Sequence, residues 1–337
     1  MKGTHGNDHQ RRRCLVLLWH ANRAGAQPRF AQREQGRFIG IIGPSGAGKS
    51  TLAACLSGAV PHHYTGTFYG SVLVDGHDTC EVSLTDVSQV VGSVLQDIDT
   101  QMVASVVEDE MLFGLENFGV PHDQIEQRVS ETLKTVGISD LRDREIATLS
   151  GGQKQKVAIA AILAMRPRVL VLDEPTAALD PASSTLIFET LREANRALGI
   201  TIVVVEQKVA LLSEYCNRVL VLDHGQIALQ GEPHEVFART DELRTIGVDC
   251  PRVTRIFNSL EADGLVSGTP CLDVDEAERL ITEIVDPDRA TSDTQAPAAP
   301  RTRRRCARMR KTPSRCSPLT MSSFLTPMEA PPSTTST

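Results

Sequence analysis

The sequence predicts an α/β fold built around a parallel β-sheet, and two observations carry this prediction. Short apolar runs rich in β-branched residues recur along the chain, each of a length that suits a buried strand. Segments of helical length and periodicity separate these runs, which is the pattern of strands joined by helical crossovers. The 337 residues suffice for one large domain of this class with added segments, or for two smaller domains.

The predicted elements occur between residues 38 and 222. The strands are residues 38–42, 90–95, 169–172, 201–205 and 219–222. The helices are residues 49–56, 123–136, 153–164 and 182–197. The segment up to about residue 37 is irregular and rich in arginine. Residues 291–337 are rich in Pro, Thr, Ser and Arg without apolar periodicity, so we expect a disordered basic tail.

Charge is distributed unevenly between the ends and the body of the chain. Residues 1–37 carry eight Lys or Arg and two Asp or Glu, and residues 291–337 carry the same numbers. Residues 38–290 carry 19 basic and 38 acidic residues. Because nucleic acids bind cationic surfaces, so acidic a body argues against DNA or RNA as the main partner.

The composition of the ends leaves two interpretations open. An abrupt change from an acidic composition to one rich in Arg, Pro, Ser and Thr is what out-of-frame translation of one or both ends would produce. The alternative is a genuine disordered tail that helps membrane association. Resequencing the gene, together with a search for tail peptides by mass spectrometry, distinguishes them.

Apolar runs and cysteines bear on the compartment. No apolar run approaches the roughly 20 residues that span a bilayer, so we expect any membrane role to be peripheral. The best candidate, residues 14–19, is far too short to span a bilayer and lacks the cleavage pattern of a secretory signal. The eight cysteines form no C-x-x-C pair and no cluster at zinc spacing, so we expect reduced, packed thiols in a cytoplasmic protein.

A phosphate-binding loop is predicted between the first strand and the first helix, where the chain fits G-x-x-x-x-G-K-[ST]. Its glycines let the backbone N–H groups face phosphate oxygens, and the helix that follows adds the positive end of its dipole. Lys49 is the candidate that neutralises the β- and γ-phosphates of ATP, and Ser50 is a candidate Mg²⁺ ligand. An ordinary glycine turn is the alternative, and the strand–loop–helix context argues against it. The candidate nucleotide-binding residues are Gly43, Pro44, Ser45, Gly46, Ala47, Gly48, Lys49, Ser50 and Thr51.

Two adjacent carboxylates follow the predicted strand of residues 169–172. Asp173 and Glu174 therefore lie at the carboxyl end of a strand, where open α/β sheets bind ligands. Asp173 is a candidate to hold Mg²⁺ through water, and Glu174 is a candidate to polarise the attacking water. A solvated strand end is the alternative, and the phosphate loop in the same chain argues against it.

The sequence between these two motifs resembles a known family. Leu149-Ser-Gly-Gly-Gln-Lys-Gln155 contains LSGGQ, the signature of ATP-binding cassette (ABC) ATPases, and the resemblance covers roughly residues 36–235. It implies a P-loop NTPase fold with a RecA-like parallel-sheet core and a helical signature subdomain at about residues 97–150. Residues 236–290 would form a C-terminal extension. The resemblance also implies a dimer in which one subunit's signature faces the ATP that the other subunit binds, through Ser150, Gly151, Gly152 and Gln153.

The same resemblance implies roles for further residues. Gln96 resembles the Q-loop glutamine, which senses Mg²⁺ and the membrane partner and is a candidate metal ligand and catalytic residue. Asp180, in Ala178-Leu-Asp180, resembles the D-loop residue near the dimer seam. Trp19 lies 24 residues before Gly43, about where the family places an aromatic that stacks on adenine. No role at all is the alternative for Trp19.

One position departs from the family pattern. After residues 201–205 the family usually reads Glu-His-Lys, whereas this chain reads Glu206-Gln207-Lys208. Gln207 therefore replaces the switch histidine that contacts the γ-phosphate. A carboxamide donates a hydrogen bond but does not become cationic. We therefore predict weakened hydrolysis with ATP binding retained.

Residues 96–121 resemble one branch of the family. The stretch Gln96-Asp-Ile-Asp-Thr-Gln-Met-Val-Ala-Ser-Val-Val-Glu-Asp-Glu110, with Phe113-Gly-Leu-Glu-Asn-Phe-Gly119, is similar to energy-coupling factor ATPases. That resemblance implies a peripheral subunit on the cytoplasmic side of the cell membrane that powers import of a vitamin, or of cobalt or nickel. The partners would be a transmembrane coupling subunit, a substrate-capturing membrane protein, and a like or unlike ATPase chain. Residues 60–79 are more similar to the vitamin-type members.

Two other functions remain as alternatives. A soluble ABC ATPase of DNA repair or translation would need long coiled-coil insertions or paired cassettes with basic surfaces, and the sequence shows neither. A degenerate or partner-dependent subunit that binds ATP with weak hydrolysis is favoured by Gln207 and by the composition of the ends.

Overall fold

The computed structural model describes residues 16–18, 36–64 and 71–285, and the fold is given for these residues. The strands are β1 (Val16–Leu18), β2 (Phe38–Ile42), β3 (Val72–Val74), β4 (His77–Asp78), β5 (Val91–Val94), β6 (Val169–Asp173), β7 (Thr201–Val205), β8 (Arg218–Asp223) and β9 (Gln226–Gly231). The main sheet has the order β5-β6-β7-β2-β8-β9, and β1, β3 and β4 form a small antiparallel sheet.

The main sheet is parallel except at one edge. The pairs β5–β6, β6–β7, β7–β2 and β2–β8 are parallel, which confirms the sheet that the sequence predicts. All five predicted strands are present, with ends that differ by at most one residue. The antiparallel edge strand β9 was not predicted, because its residues alternate in burial and do not form a continuous apolar run. The sequence also did not predict β1, β3 and β4.

The described helices lie between and after these strands. They are α1 (Lys49–Leu56), α2 (Ala59–His62), α3 (Leu84–Ser88), α4 (Ile98–Gln101), α5 (Val107–Asn117), α6 (His122–Val136), α7 (Gly151–Ala164), α8 (Pro181–Leu198), α9 (Val209–Tyr215), α10 (Pro233–Phe237), α11 (Thr240–Ile246), α12 (Arg252–Ala262) and α13 (Val274–Val285). The four predicted helices correspond to α1, α6, α7 and α8. In both α6 and α8 a glycine in the left-handed conformation ends the helix, at Gly137 and Gly199.

Side chains on alternate faces of the main sheet enter two separate cores. Along β2, Ile39 and Ile41 belong to the core on the α1 face, whereas Phe38 and Ile42 belong to the core on the α7 and α8 face. The strands β6, β7 and β8 divide their residues between the two cores in the same way. Because both faces are covered, these strands are apolar throughout, which is why the sequence reveals them as continuous runs.

The segment between β5 and β6 contributes a helical layer. Helices α5, α6 and α7 pack together through buried residues such as Met111, Leu115, Val129 and Leu133. After β9, helices α12 and α13 enclose a smaller core around Phe257, Val266 and Cys271. Within the described part of the chain, every helix is too short or too polar to cross a bilayer.

Candidate functional site

The phosphate loop connects β2 to α1, as the sequence predicts. Gly43 has no room for a side chain, because an added Cβ would lie 2.3 Å from the backbone oxygen of Leu222 on β8. Gly46 and Gly48 have φ values of 79° and 96°, a region that favours glycine. Gly48 is also the N-cap of α1 and no side chain caps that end, so the first backbone N–H groups of α1 are left for a bound anion.

Lys49 is buried inside this loop. Its Nζ donates to the backbone oxygens of Gly43 and Pro44, at 3.0 and 2.9 Å. These two bonds use two of the three N–H donors of the ammonium group. The cation is therefore held at the centre of the loop, where it attracts an anion that the surrounding backbone would enclose.

Asp173 and Ser50 lie side by side at the mouth of the site. The Ser50 hydroxyl donates to the Asp173 carboxylate, while Asp173 Oδ1 is buried without a hydrogen-bond partner in the described structure. Burial raises the pKa of Asp173, and the charge of Glu174 raises it further, whereas the bond from Ser50 and the charge of Lys49 lower it. A carboxylate oxygen without a partner beside a hydroxyl fits the oxygen ligands that Mg²⁺ prefers.

Glu174 is hydrogen-bonded to two of the other predicted residues. Its Oε1 accepts a hydrogen bond from Gln207 Nε2 at 2.6 Å, and its Oε2 accepts one from Gln96 Nε2 at 3.4 Å. The backbone N–H of Glu174 donates to Val205 on β7, at 2.9 Å, and its φ is 48°, unusual for a residue with a side chain. Strain of this kind is found at functional sites, where the surrounding structure fixes the geometry. Glu174 is thus aimed at the ends of β5 and β7, which carry Gln96 and Gln207.

The predicted signature residues begin helix α7. Ser150 is its N-cap and forms a capping box with Gln153, in which each side chain accepts from the backbone N–H of the other residue. Gly151 and Gly152 are close to the chain that leads into α8. An added Cβ on Gly151 would lie 3.5 Å from Leu179, and one on Gly152 would lie 3.4 Å from Ser183.

Asp180 closes the segment between β6 and α8, whose residues 176–180 we call the seam loop. It is the N-cap of α8, and its side chain accepts from the backbone N–H groups of Ala182 and Ser183, at 2.9 and 3.0 Å. The Ser183 hydroxyl also donates to Asp180, at 2.6 Å, and this bond lowers the pKa of the carboxyl. The charge of Asp180 is therefore held at the positive end of a helix of 18 residues.

Several residues that shape this site were missed from the sequence. Glu206 and Lys208 flank Gln207, and both bond to residues 176–184. Gln101 closes the loop after β5, because its side chain bonds to Ser93 O and to the N–H of Leu95, at 3.0 and 2.9 Å. Asp99 and Lys154 form an ion pair of 2.7 Å between α4 and α7. All of these residues belong to motifs quoted for the resemblance, but a motif does not show which side chains meet.

One predicted residue lies outside the described structure. Trp19, the candidate for stacking on adenine, directly follows β1 but is not among the described residues. Its role therefore stays a prediction.

Comparison with known proteins identifies the family of the chain. A family model described as ABC transporter matches residues 31–177. A protein of Pyrococcus horikoshii that is named as an ABC transporter ATP-binding protein is 44% identical over 232 residues, which are 69% of this chain and 82% of that protein. The energy-coupling factor transporter ATP-binding protein EcfA1 of Clostridium perfringens is 38% identical over 252 residues, or 74% of this chain and 88% of that protein.

A solved structure extends the similarity to the fold. It is cbiO1 from Clostridium perfringens, part of the ABC transporter complex cbiONQ, and it matches with a TM-score of 0.60 and 33% identity. The match covers 74% of this chain and 98% of cbiO1. The chain therefore belongs to the ABC transporter ATP-binding family, in the energy-coupling factor branch of ATP-binding and ATP-hydrolysing subunits.

Proposed function

We propose that this chain binds ATP with Mg²⁺ in a dimer of ATPase subunits and hydrolyses it to drive an energy-coupling factor importer. The observation that supports this most strongly is the convergence of six predicted side chains at the carboxyl ends of parallel strands. They are Lys49, Ser50, Gln96, Asp173, Glu174 and Gln207.

In this proposal the phosphate loop and its neighbours bind the triphosphate. The backbone N–H groups of Gly43 and of residues 45–51 would surround the β- and γ-phosphates, and Lys49 would neutralise part of their charge. Ser50 and Asp173 hold Mg²⁺, with Gln96 as a further candidate ligand. The bound metal supplies charge that stabilises the transferred phosphoryl group.

Glu174 is the proposed catalytic base. It accepts a proton as a water oxygen bonds to the γ-phosphorus and the bond from that phosphorus to the bridging oxygen breaks, leaving ADP and phosphate. The bonds from Gln96 and Gln207 fix the orientation of its carboxylate. Gln207 donates to the carboxylate without adding positive charge, so we expect slow turnover.

The other half of each nucleotide site would come from a second ATPase chain. The start of α7 would present the Ser150 hydroxyl and the backbone N–H groups of Gly151 and Gly152 to an anion, while the N–H of Gln153 is used by the capping box. Asp180 would lie at the seam. A like chain would place Gln207 in both sites, whereas an unlike chain could supply one site with the usual histidine. A dimer with an unlike chain is the partner-dependent alternative, and the presence of Gln207 in place of histidine favours it.

Exposed apolar side chains in residues 95–118 support a membrane partner. Four large apolar side chains between residues 95 and 118 are exposed to solvent: Leu95, Val103, Phe113 and Phe118. Glu110 is buried beside them and accepts from the N–H groups of Val103 and Ala104, at 2.9 and 2.8 Å, which fixes the loop that carries Val103. A partner that covers these side chains would remove their apolar area from water, which is the role that apolar residues have at interaction sites.

We assign this surface to a transmembrane coupling subunit, because cbiO1 is part of a transporter complex. The chain would then be a peripheral subunit on the cytoplasmic side of the cell membrane, working with a substrate-capturing membrane protein. Import of a vitamin, or of cobalt or nickel, follows only from the sequence resemblance. The domain organisation proposed from the sequence is an ATPase domain at residues 36–235, with its helical subdomain at about 97–150, and a C-terminal extension at 236–290.

A capture experiment tests the membrane partner. Detergent-solubilised membranes of the source organism are passed over the immobilised chain, over a Phe113→Glu variant and over a Leu198→Glu control, which adds the same charge on α8. We expect the chain and the control to retain the same polytopic membrane protein, identified by mass spectrometry. The Phe113→Glu variant should retain at least tenfold less, roughly the effect of burying one unpaired charge. Equal retention by all three would contradict the assigned surface.

A further inference from the structure

Lys208 directly follows Gln207 in the chain and is hydrogen-bonded to the seam loop. Its Nζ donates to Thr176 O at 2.7 Å, to Leu179 O at 3.1 Å and to Ser184 Oγ at 2.7 Å. These bonds use all three N–H donors of the ammonium group. The cation therefore holds both ends of the seam loop and the first turn of α8.

Ser184 links Lys208 to Asp180 through hydrogen bonds. Ser184 is buried, and while its Oγ accepts from Lys208, its hydroxyl donates to Asp180 O at 2.8 Å. Asp180 in turn caps α8 through the N–H groups of Ala182 and Ser183. A displacement of Lys208 therefore changes the position of the backbone that carries Asp180.

Glu206 makes a second connection, on the other side of Gln207. Its carboxylate is 2% exposed and accepts from the Thr176 hydroxyl and from the backbone N–H groups of Gln207 and Lys208, the latter two at 2.8 and 3.2 Å. The backbone of residues 206–208 is thus tied to the seam loop before and after Gln207. Gln207 is the one side chain of the three that points to the catalytic carboxylate, at 2.6 Å from Glu174.

We propose that Lys208 is a positioning residue that transmits the nucleotide state sensed at Gln207 to the seam loop and, through Asp180, to the facing subunit. The inference rests on the proposed function, which places Gln207 at the γ-phosphate and Asp180 at the dimer seam. A ligand shifts a conformational equilibrium only through a difference in contacts between two states. The bonds of Lys208 are the contacts that couple the two positions here.

Hydrogen–deuterium exchange measures this transmission directly. Exchange is followed in peptides that cover residues 43–51 and residues 176–184, with and without a non-hydrolysable ATP analogue and Mg²⁺. The proteins are the unsubstituted chain, Lys208→Met, Lys208→Arg and a Lys134→Met control on α6. If Lys208 had only a structural role, exchange at residues 176–184 in Lys208→Met would be faster by the same factor with and without nucleotide. If Lys208 transmits the nucleotide state, the slowing of exchange that nucleotide causes at these residues would itself become smaller in Lys208→Met.

We expect nucleotide to slow exchange at both peptides in the unsubstituted chain, by about tenfold at residues 176–184. In Lys208→Met the effect at residues 43–51 should persist, while the effect at 176–184 should fall below about twofold, because charge-assisted hydrogen bonds to the seam loop are lost. Lys208→Arg keeps the cation and should restore part of the effect. Lys134→Met should behave as the unsubstituted chain.

The results that would overturn the inference are distinct from those that would overturn the proposed function. If nucleotide slows exchange at 176–184 equally in Lys208→Met, transmission through Lys208 is wrong and ATP binding stands. If nucleotide leaves residues 43–51 of the unsubstituted chain unchanged, the proposed function is wrong and the inference falls with it. Should Lys208→Met not fold, Ser184→Ala removes one of the three acceptors, and an undiminished effect at 176–184 in that variant would overturn the inference.

Discussion

Glu174 receives hydrogen bonds from two carboxamides, those of Gln96 and Gln207. Gln207 Nε2 lies 2.6 Å from Glu174 Oε1, at the position where the sequence resemblance predicts a switch histidine. An imidazole in the same position could carry a positive charge as negative charge develops on the phosphoryl oxygens, whereas a carboxamide could not. We therefore expect the residue at position 207 to determine the rate of ATP hydrolysis.

Replacing Gln207 by histidine tests that expectation. We predict that Gln207→His raises ATP turnover by roughly tenfold, because a cationic imidazolium stabilises the negative charge that develops on the phosphoryl oxygens more than a neutral carboxamide does. A factor of ten in rate corresponds to about 1.4 kcal/mol. The measurement is steady-state phosphate release at saturating ATP. Gln207→Ala serves as the matched control and should lower turnover, because the orientation of Glu174 is lost. Unchanged turnover in Gln207→His would show that the substitution does not limit hydrolysis.

At the scale of elements, the packing of α8 against the sheet determines where the seam loop lies. Phe188 on α8 is fully buried and stacks on Phe38 of β2, with ring centroids 5.8 Å apart. Tyr215 of α9 packs edge-on against the same ring, at 5.4 Å. This aromatic cluster joins the strand that precedes the phosphate loop to the helix that Asp180 caps. Its integrity is thus required by both halves of the site.

Removing the Phe188 ring should destabilise the folded chain. We predict that Phe188→Ala lowers the free energy of unfolding by about 3–5 kcal/mol, since it leaves a cavity among residues that cannot collapse into it. Phe188→Leu is the control and should cost about 1.5 kcal/mol or less. Urea unfolding followed by circular dichroism measures both. A loss below about 1 kcal/mol in Phe188→Ala would contradict the packing described for α8.

The sequence predicts those elements whose signal is local. Strands covered on both faces are continuous apolar runs, and β2, β6 and β7 were therefore predicted with ends that differ by at most one residue. Strand β3 is only three residues long, and β4 and the edge strand β9 contain exposed residues, so the patterns of all three are weaker. Helix α7 began two residues before its prediction because a Ser–Gln capping box, and not hydrophobic periodicity, sets its start.

At the site, too, the sequence predicts residues that lie in one contiguous motif and does not predict contacts between distant residues. Phosphate-loop residues are contiguous in sequence, so a single motif indicates all of them. The contacts of Lys208 with Thr176, Leu179 and Ser184 join residues 24 to 32 positions apart. No sequence pattern specifies that an ammonium group will take three acceptors from another loop. Such contacts depend on the order of β6 and β7 in the sheet, which only the fold determines.

At the scale of the whole molecule, the chain contains one phosphate loop and one signature sequence, which the proposed function assigns to opposite sites of a dimer. Residues 38–290 carry 38 acidic and 19 basic residues, so two copies of the chain repel each other electrostatically. The dimer must form despite this repulsion. Hydrolysis by the chain therefore depends on whether two copies close on nucleotide without another partner. The account predicts that they do, at the low rate that Gln207 allows.

ATP turnover by the purified chain, compared with Glu174→Gln, tests the central claim most directly. Glutamine is nearly isosteric with glutamate but cannot accept a proton from water, so nucleotide should still bind while hydrolysis is lost. We predict slow, Mg²⁺-dependent phosphate release that falls by about a hundredfold or more in Glu174→Gln. Equal phosphate release by the two proteins would contradict the role of Glu174. Absence of release from the unsubstituted chain, with ATP bound, would contradict hydrolysis by this chain alone and indicate a partner-dependent subunit.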